Sequence, residues 1–167
     1  LDRFRTFCRE RPDDGVCRPQ KEAPDLTADK ALAFLDSAEA QPALVRARGD
    51  LSIPEVRAAF AMAPGLVQAF DPRSLQAMRT PVSIVLGDSD DVAPSNVNGS
   101  AAARLIPGAR LKVLPGVGHY DFLSRCTPAG DAIVRDLCPV RVPRSETHHP
   151  ALEQALIVFG RAFGPPP

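Results

Sequence analysis

Two stretches of this chain each run from short apolar segments through glycine to a side chain that can handle protons. The first is Pro81-Val82-Ser83-Ile84-Val85-Leu86-Gly87-Asp88-Ser89-Asp90-Asp91-Val92-Ala93-Pro94, and the second is Leu111-Lys112-Val113-Leu114-Pro115-Gly116-Val117-Gly118-His119. A carboxylate that accepts a hydrogen bond from one imidazole nitrogen fixes the tautomer and leaves the other nitrogen free to act as a general base. Asp90 and His119 are the candidates for those two roles. Asp91 is the reserve acid, and Asp88 is expected to stay in solvent. A base of this kind serves a nucleophile, yet no G-x-S-x-G turn occurs in the sequence. Ser37, Ser52, Ser74, Ser83, Ser89, Ser95, Ser100, Ser124 and Ser145 all lack those surroundings, so none is nominated.

For the acid and the base to meet, both must sit on one edge of one sheet. In a parallel sheet the strands lie about 4.8 Å apart and their C-terminal ends open on the same side. Val82 to Leu86 is nearly all apolar, as expected of a strand buried on both faces. Arg110 to Leu114 supplies another strand, and Val56 to Met62 a third, stopped by Pro64-Gly65. Helices are expected between and around them. Thr27 caps one that carries Ala31, Leu32, Phe34 and Leu35 and ends near Pro42. Asp71-Pro72 opens a short one, Ser95 caps one from Asn96 to Leu105, and Thr127-Pro128 starts one toward Leu137. Pro150 starts the last, with Leu152, Ala155, Leu156, Phe159 and Phe163 at helical spacing. Residues 1–25 read as loop after a short helix carrying Phe4 and Phe7. The fold class is therefore α/β, with about three parallel strands, flanking helices and right-handed crossovers. Gly87, Gly116 and Gly118 are read as supplying tight turns beneath the two site residues.

The chain has 167 residues, a length that suits one domain or part of one. Its 20 basic and 20 acidic residues balance, which gives no field to attract nucleic acid or anionic lipid. No apolar run approaches the ~20 residues a membrane-spanning helix requires. The charged stretch from Leu1 to Glu10 lacks the apolar core of a secretory signal, so processing or truncation is expected to have removed the true start. Pro165-Pro166-Pro167 is the one low-complexity run. Four cysteines fall in two close pairs, Cys8 with Cys17 and Cys126 with Cys138. Local disulfides in a periplasmic or secreted protein are the first reading, four reduced thiols in the cytoplasm the second, and sequence alone allows three pairings. Neither pair has zinc-ligand spacing, and His148-His149 reads as an exposed lead-in to the last helix.

Gly87-x-x-Asp90-x-x-x-Pro94 followed by Gly116-x-Gly118-His119 is similar to the acid and histidine loops of the α/β-hydrolase superfamily. More narrowly, Phe60-Ala61-Met62-Ala63-Pro64, Ala102-Ala103-Arg104-Leu105-Ile106-Pro107-Gly108-Ala109 and Gly118-His119-Tyr120-Asp121-Phe122-Leu123 resemble dienelactone hydrolases, a group related to platelet-activating-factor acetylhydrolases. The likeness is best from about Val56 to Leu123. It implies that residues 1–167 are the C-terminal part of an α/β-hydrolase domain, with a loop-rich start over 1–25, an acid and histidine core over 56–123 and a C-terminal helix over 150–163. It also implies hydrolysis of a small-molecule ester or lactone through an acyl-serine, with no cofactor or metal. Asp90 would orient the base, and His119 would deprotonate the serine and later protonate the leaving group. The nucleophile and oxyanion loop would lie upstream, on an N-terminal half with which this part associates, so the chain alone is expected to be inactive. Tyr120 and Phe122 would line an acyl pocket or simply pack.

Two other readings stay open. Asp88-Ser89-Asp90-Asp91-Val92 after a strand matches the D-x-D-x-V pattern of haloacid-dehalogenase-type phosphotransferases, in which Asp88 would attack phosphorus beside magnesium. A non-catalytic module could instead pair its first strand with another chain.

Overall fold

The computed structural model describes residues 2–164; Leu1 and the run Pro165-Pro166-Pro167 lie outside the described residues. In chain order the helices and strands are α1 (Asp2–Glu10), α2 (Ala28–Leu35), α3 (Gln41–Arg46), β1 (Ala59–Met62), α4 (Pro72–Gln76), β2 (Val82–Gly87), α5 (Gly99–Leu105), β3 (Arg110–Leu114), α6 (Pro128–Ile133) and α7 (Arg144–Phe163). Short 3-10 turns at Gly15–Cys17, Val67–Ala69, His119–Phe122 and Arg135–Leu137 join them.

The fold class is the expected one. Three parallel strands stand in the order β1-β2-β3 with helices around them. Ala59 pairs with Val82 and Met62 with Val85; on the other side Ser83 pairs with Arg110 and Gly87 with Leu114. β2 is the middle strand and every residue in it is buried, which is why its sequence is apolar rather than alternating. Val82, Ile84 and Leu86 pack on one face with Val67, Leu75, Ala102 and Ile106. Val85 packs on the other with Leu114 and Val117, flanked by Phe60, Phe122 and Val142. Each Val, Leu or Ile among them contributes about 1.5–3 kcal/mol when fully buried. The outer edge of β1 has no strand beside it among the described residues.

Several boundaries differ from the expectation, each for a local reason. β1 starts at Ala59, and Val56 ahead of it is exposed. α2 does have Thr27 as its cap, accepting the Lys30 N–H at 3.3 Å, but it ends at Leu35. Pro42 instead sits in the first turn of α3, where its missing N–H would have had no helical partner. α5 starts at Gly99 with Asn98, rather than Ser95, at its N-cap. Asn98 is fully buried, its amide donates to the Pro94 carbonyl at 3.1 Å, and its oxygen accepts the Val67 N–H at 3.4 Å. That side chain is committed to joining two loops, a tertiary role that local propensity does not show.

α7 starts at Arg144 and carries Pro150 inside it, so the proline does not open the helix. An internal proline costs a helix about 3 kcal/mol. Anchors on both sides offset this. The Thr147 hydroxyl is buried against the carbonyls of Asp121 and Arg144 at 3.0 and 2.9 Å, while Ala151 and Val158 are buried further along the helix.

Both local disulfides are present, Cys8–Cys17 and Cys126–Cys138. Closing loops of this size stabilises by roughly 2–3 kcal/mol each. The bonds are compatible with an oxidising compartment. Among the described residues no helix is long and apolar enough to cross a membrane.

Candidate active site

The loops after β2 and β3 touch before either reaches its candidate side chain. A Cβ placed on Gly87 would fall 1.9 Å from the Val117 carbonyl oxygen, so only glycine admits this approach. Asp88 and Ser89 donate their N–H groups to the carbonyls of Leu114 and Val117, both at 3.1 Å. The Asp88 carboxylate then accepts the Gly116 N–H at 2.7 Å. Of the three glycines expected to supply turns, Gly116 does so, with φ of 72°. Gly118 has an ordinary φ of −99° and instead leaves room for the Arg141 side chain, 2.9 Å from where its Cβ would stand.

Beyond these contacts the acid and the histidine meet. Asp90 Oδ2 lies 2.8 Å from His119 Nδ1. Asp90 Oδ1 accepts the N–H groups of Val92 at 3.0 Å and Ala93 at 2.7 Å, and the carboxylate side chain is 1% exposed. An ionised carboxylate can only accept, so the proton of this pair sits on Nδ1 and the lone pair of a neutral imidazole is on Nε2. His119 is 27% exposed, and its Nε2 makes no hydrogen bond among the described residues. The arrangement can accept a proton at Nε2 and stabilise the resulting imidazolium through a buried anion.

The neighbouring acids are placed elsewhere. Asp91, the reserve acid, is exposed and pairs with the Arg141 guanidinium at 2.8 Å. Asp88 is exposed as expected, with its Oδ1 engaged by Gly116 N–H and by the Ser89 hydroxyl at 3.0 Å. Among the described residues no serine hydroxyl is hydrogen-bonded to His119. His148 lies within α7 with its Nε2 3.2 Å from the Leu123 carbonyl, and His149 is exposed beside it.

Asp121 carries no reading from the sequence, and Tyr120, expected to line an acyl pocket or pack, makes a polar contact as well. Buried Asp121 accepts the Gly118 N–H and the Arg141 N–H, both at 2.7 Å, and so fixes the turn on which His119 sits. Its signal was present: an acid three residues after a turn's first residue has capping-box spacing. Tyr120 stacks edge-on against the His119 ring with centroids 5.4 Å apart, and its hydroxyl donates to Glu22 at 2.6 Å. Burial, followed by the hydrogen bond and charge of Glu22, pushes the Tyr120 phenol well above its ordinary range. Phe122 packs beside Val85, Leu114 and Val117, so it is a core residue.

No family model matches the chain. It is 36% identical over 63 residues to a non-heme haloperoxidase of Rhodococcus erythropolis, a match that covers 38% of this chain and 22% of that protein. Among solved structures it matches the bromoperoxidase of Bacillus anthracis with a TM-score of 0.33 and 21% identity, over 54% of this chain and 24% of the other. The chain thus spans about a fifth of the length of the curated haloperoxidase it resembles.

Proposed function

We propose that this chain is the acid- and base-bearing part of an α/β-hydrolase, and that it serves ester or lactone hydrolysis of the dienelactone-hydrolase type. The observation that carries the reading is the 2.8 Å contact between buried Asp90 and the Nδ1 of His119 at adjoining strand ends. In this scheme His119 Nε2 takes the proton of a serine hydroxyl as its oxygen attacks the ester carbonyl. The imidazolium is stabilised by Asp90 and returns the proton to the departing alcohol. Water then attacks the acyl-serine with the same nitrogen as base, the acyl–serine ester bond breaks to release the carboxylic acid, and the imidazolium returns its proton to the serine oxygen. The nucleophile and the oxyanion donors are contributed by residues outside these 167. The outer edge of β1, unpaired among the described residues, supports association with a segment that supplies the next strand. The two disulfides support a periplasmic or secreted setting.

The test is turnover of a p-nitrophenyl ester by the complete gene product. His119→Ala should lower kcat/KM by roughly 10⁶-fold, the scale of removing a triad base. Undiminished turnover in that variant would overturn the assignment.

A further inference from the structure

Residues 11–22 lie across both strand-end loops, although they belong to the beginning of the chain. Gly15 is buried against the acid loop, where an added Cβ would stand 2.1 Å from the Asp91 carbonyl oxygen and 2.5 Å from that of Val92. Arg18 donates to the same Asp91 carbonyl at 3.3 Å. Gln20 donates to the carbonyls of Gly15 and Arg18, each at 2.8 Å, and so holds the segment in its own turn. Glu22 accepts the Tyr120 hydroxyl at 2.6 Å, and the Lys21 ammonium lies 5.3 Å from the centre of the Tyr120 ring. Cys17 is bonded to Cys8 on α1, and α1 packs against the Val67–Ala69 turn that follows β1.

The contacts fall on Asp91, the residue after Asp90, and on Tyr120, the residue after His119. We infer that residues 11–22, closed by the Cys8–Cys17 bond, form a positioning strap that holds the acid loop and the histidine loop at the separation the Asp90–His119 hydrogen bond requires. The inference rests on the proposed roles of that pair. The bonds made by Asp88 and Ser89 join the loops near the strand ends, and the strap joins them again on the far side of the two functional residues. Such a clamp matters because displacing a catalytic group by about 1 Å can cost about 10²-fold in rate. Anchoring it through a disulfide to α1 reduces the freedom of the segment before it docks. Glu22, Arg18 and Gly15 are positioning residues that act through Tyr120 and Asp91.

The chain is suited to a direct test, because Tyr120 is its one tyrosine and it has no tryptophan. Phenolate absorbance therefore reports the surroundings of Tyr120, which its burial and the Glu22 hydrogen bond set. Imidazole ¹⁵N signals at alkaline pH, with that of His119 assigned by its loss in His119→Gln, report whether the neutral ring is held in one tautomer. The 167-residue chain should show a single His119 tautomer. Glu22→Ala, Gly15→Ala, and the paired change Cys8→Ser with Cys17→Ser should each lower the pH of tyrosine ionisation and turn the His119 signals to a tautomer average. Far-UV circular dichroism should stay unchanged in Glu22→Ala, whose site is exposed. Glu22→Gln keeps an acceptor and should retain the single tautomer. A single tautomer that persists in Glu22→Ala and in the cysteine pair, with or without a shifted tyrosine titration, overturns the strap and leaves the Asp90–His119 pair standing. A tautomer average already present in the unaltered chain overturns the pair, and the strap with it.

Discussion

The Asp88 carboxylate accepts the Gly116 N–H at 2.7 Å, so the loop that carries Asp90 is bonded to the loop that carries His119 ahead of either candidate side chain. Gly116 makes this bond with φ of 72°, a conformation in which glycine is favoured and which places its N–H toward the neighbouring loop. The bond is charge-assisted but exposed, so Asp88→Ala should lower unfolding stability by about 1 kcal/mol. Asp88→Asn keeps a carbonyl acceptor and should retain most of it. Urea denaturation of the three proteins checks this, and equal midpoints for the unaltered chain and Asp88→Ala would contradict it.

Gly87 carries a heavier constraint. A Cβ there would stand 1.9 Å from a backbone carbonyl rather than from a flexible side chain, so the loops would have to separate. Gly87→Ala should destabilise by about 3 kcal/mol, the upper end for overpacking. Gly108 is the control, since no atom lies within 4 Å of an added Cβ there and the strain comes only from its φ of 69°. Thermal unfolding should rank Gly87→Ala well below Gly108→Ala; the reverse order would mean the two loops are not in contact.

Tyr120 makes stability depend on alkaline pH. An unfolded tyrosine releases its proton near pH 10, whereas the folded phenol, desolvated and bonded to Glu22, holds it to higher pH. Above that unfolded value the unfolded chain binds fewer protons than the folded one, so stability falls as pH rises. The contribution is complete below about pH 10 and is lost as the pH climbs through the folded value. Tyr120→Phe should flatten the decline in chemical-denaturation midpoints above pH 10, and parallel curves for the two proteins would count against the environment described for this phenol.

The features legible in the sequence are those that local chemistry decides. The β2 run Val82–Gly87 is apolar because both of its faces are covered, and β3 has the bounds expected for it, Arg110–Leu114. The cysteine pairs are bonded as their short spacing suggested. The acid and histidine were legible as two strand-end loops in order, and the structure brings Asp90 and His119 within hydrogen-bonding distance. What escaped was decided by distant partners. Asn98 rather than Ser95 takes the N-cap position, and its side chain makes no cap bond because it is engaged by the Pro94 carbonyl and the Val67 N–H of the loop after β1. Pro150 lies within α7 because Thr147 and Ala151 are buried on either side of it. Gly87 looked like a turn residue, yet the cause is a carbonyl thirty residues downstream. Residues 11–22 read as a charged loop, and nothing local indicates that Gly15 and Glu22 rest on the two site loops.

The proton that His119 Nδ1 donates to Asp90 is observed most directly by low-field proton NMR of the 167-residue chain. A hydrogen-bonded Nδ1–H signal should appear downfield of the amides, vanish in His119→Gln and in Asp90→Asn, and survive in Asp91→Asn, because Asp91 pairs with Arg141 on the surface. A signal that survives Asp90→Asn, or one that is lost in Asp91→Asn instead, would contradict the assignment of the acid.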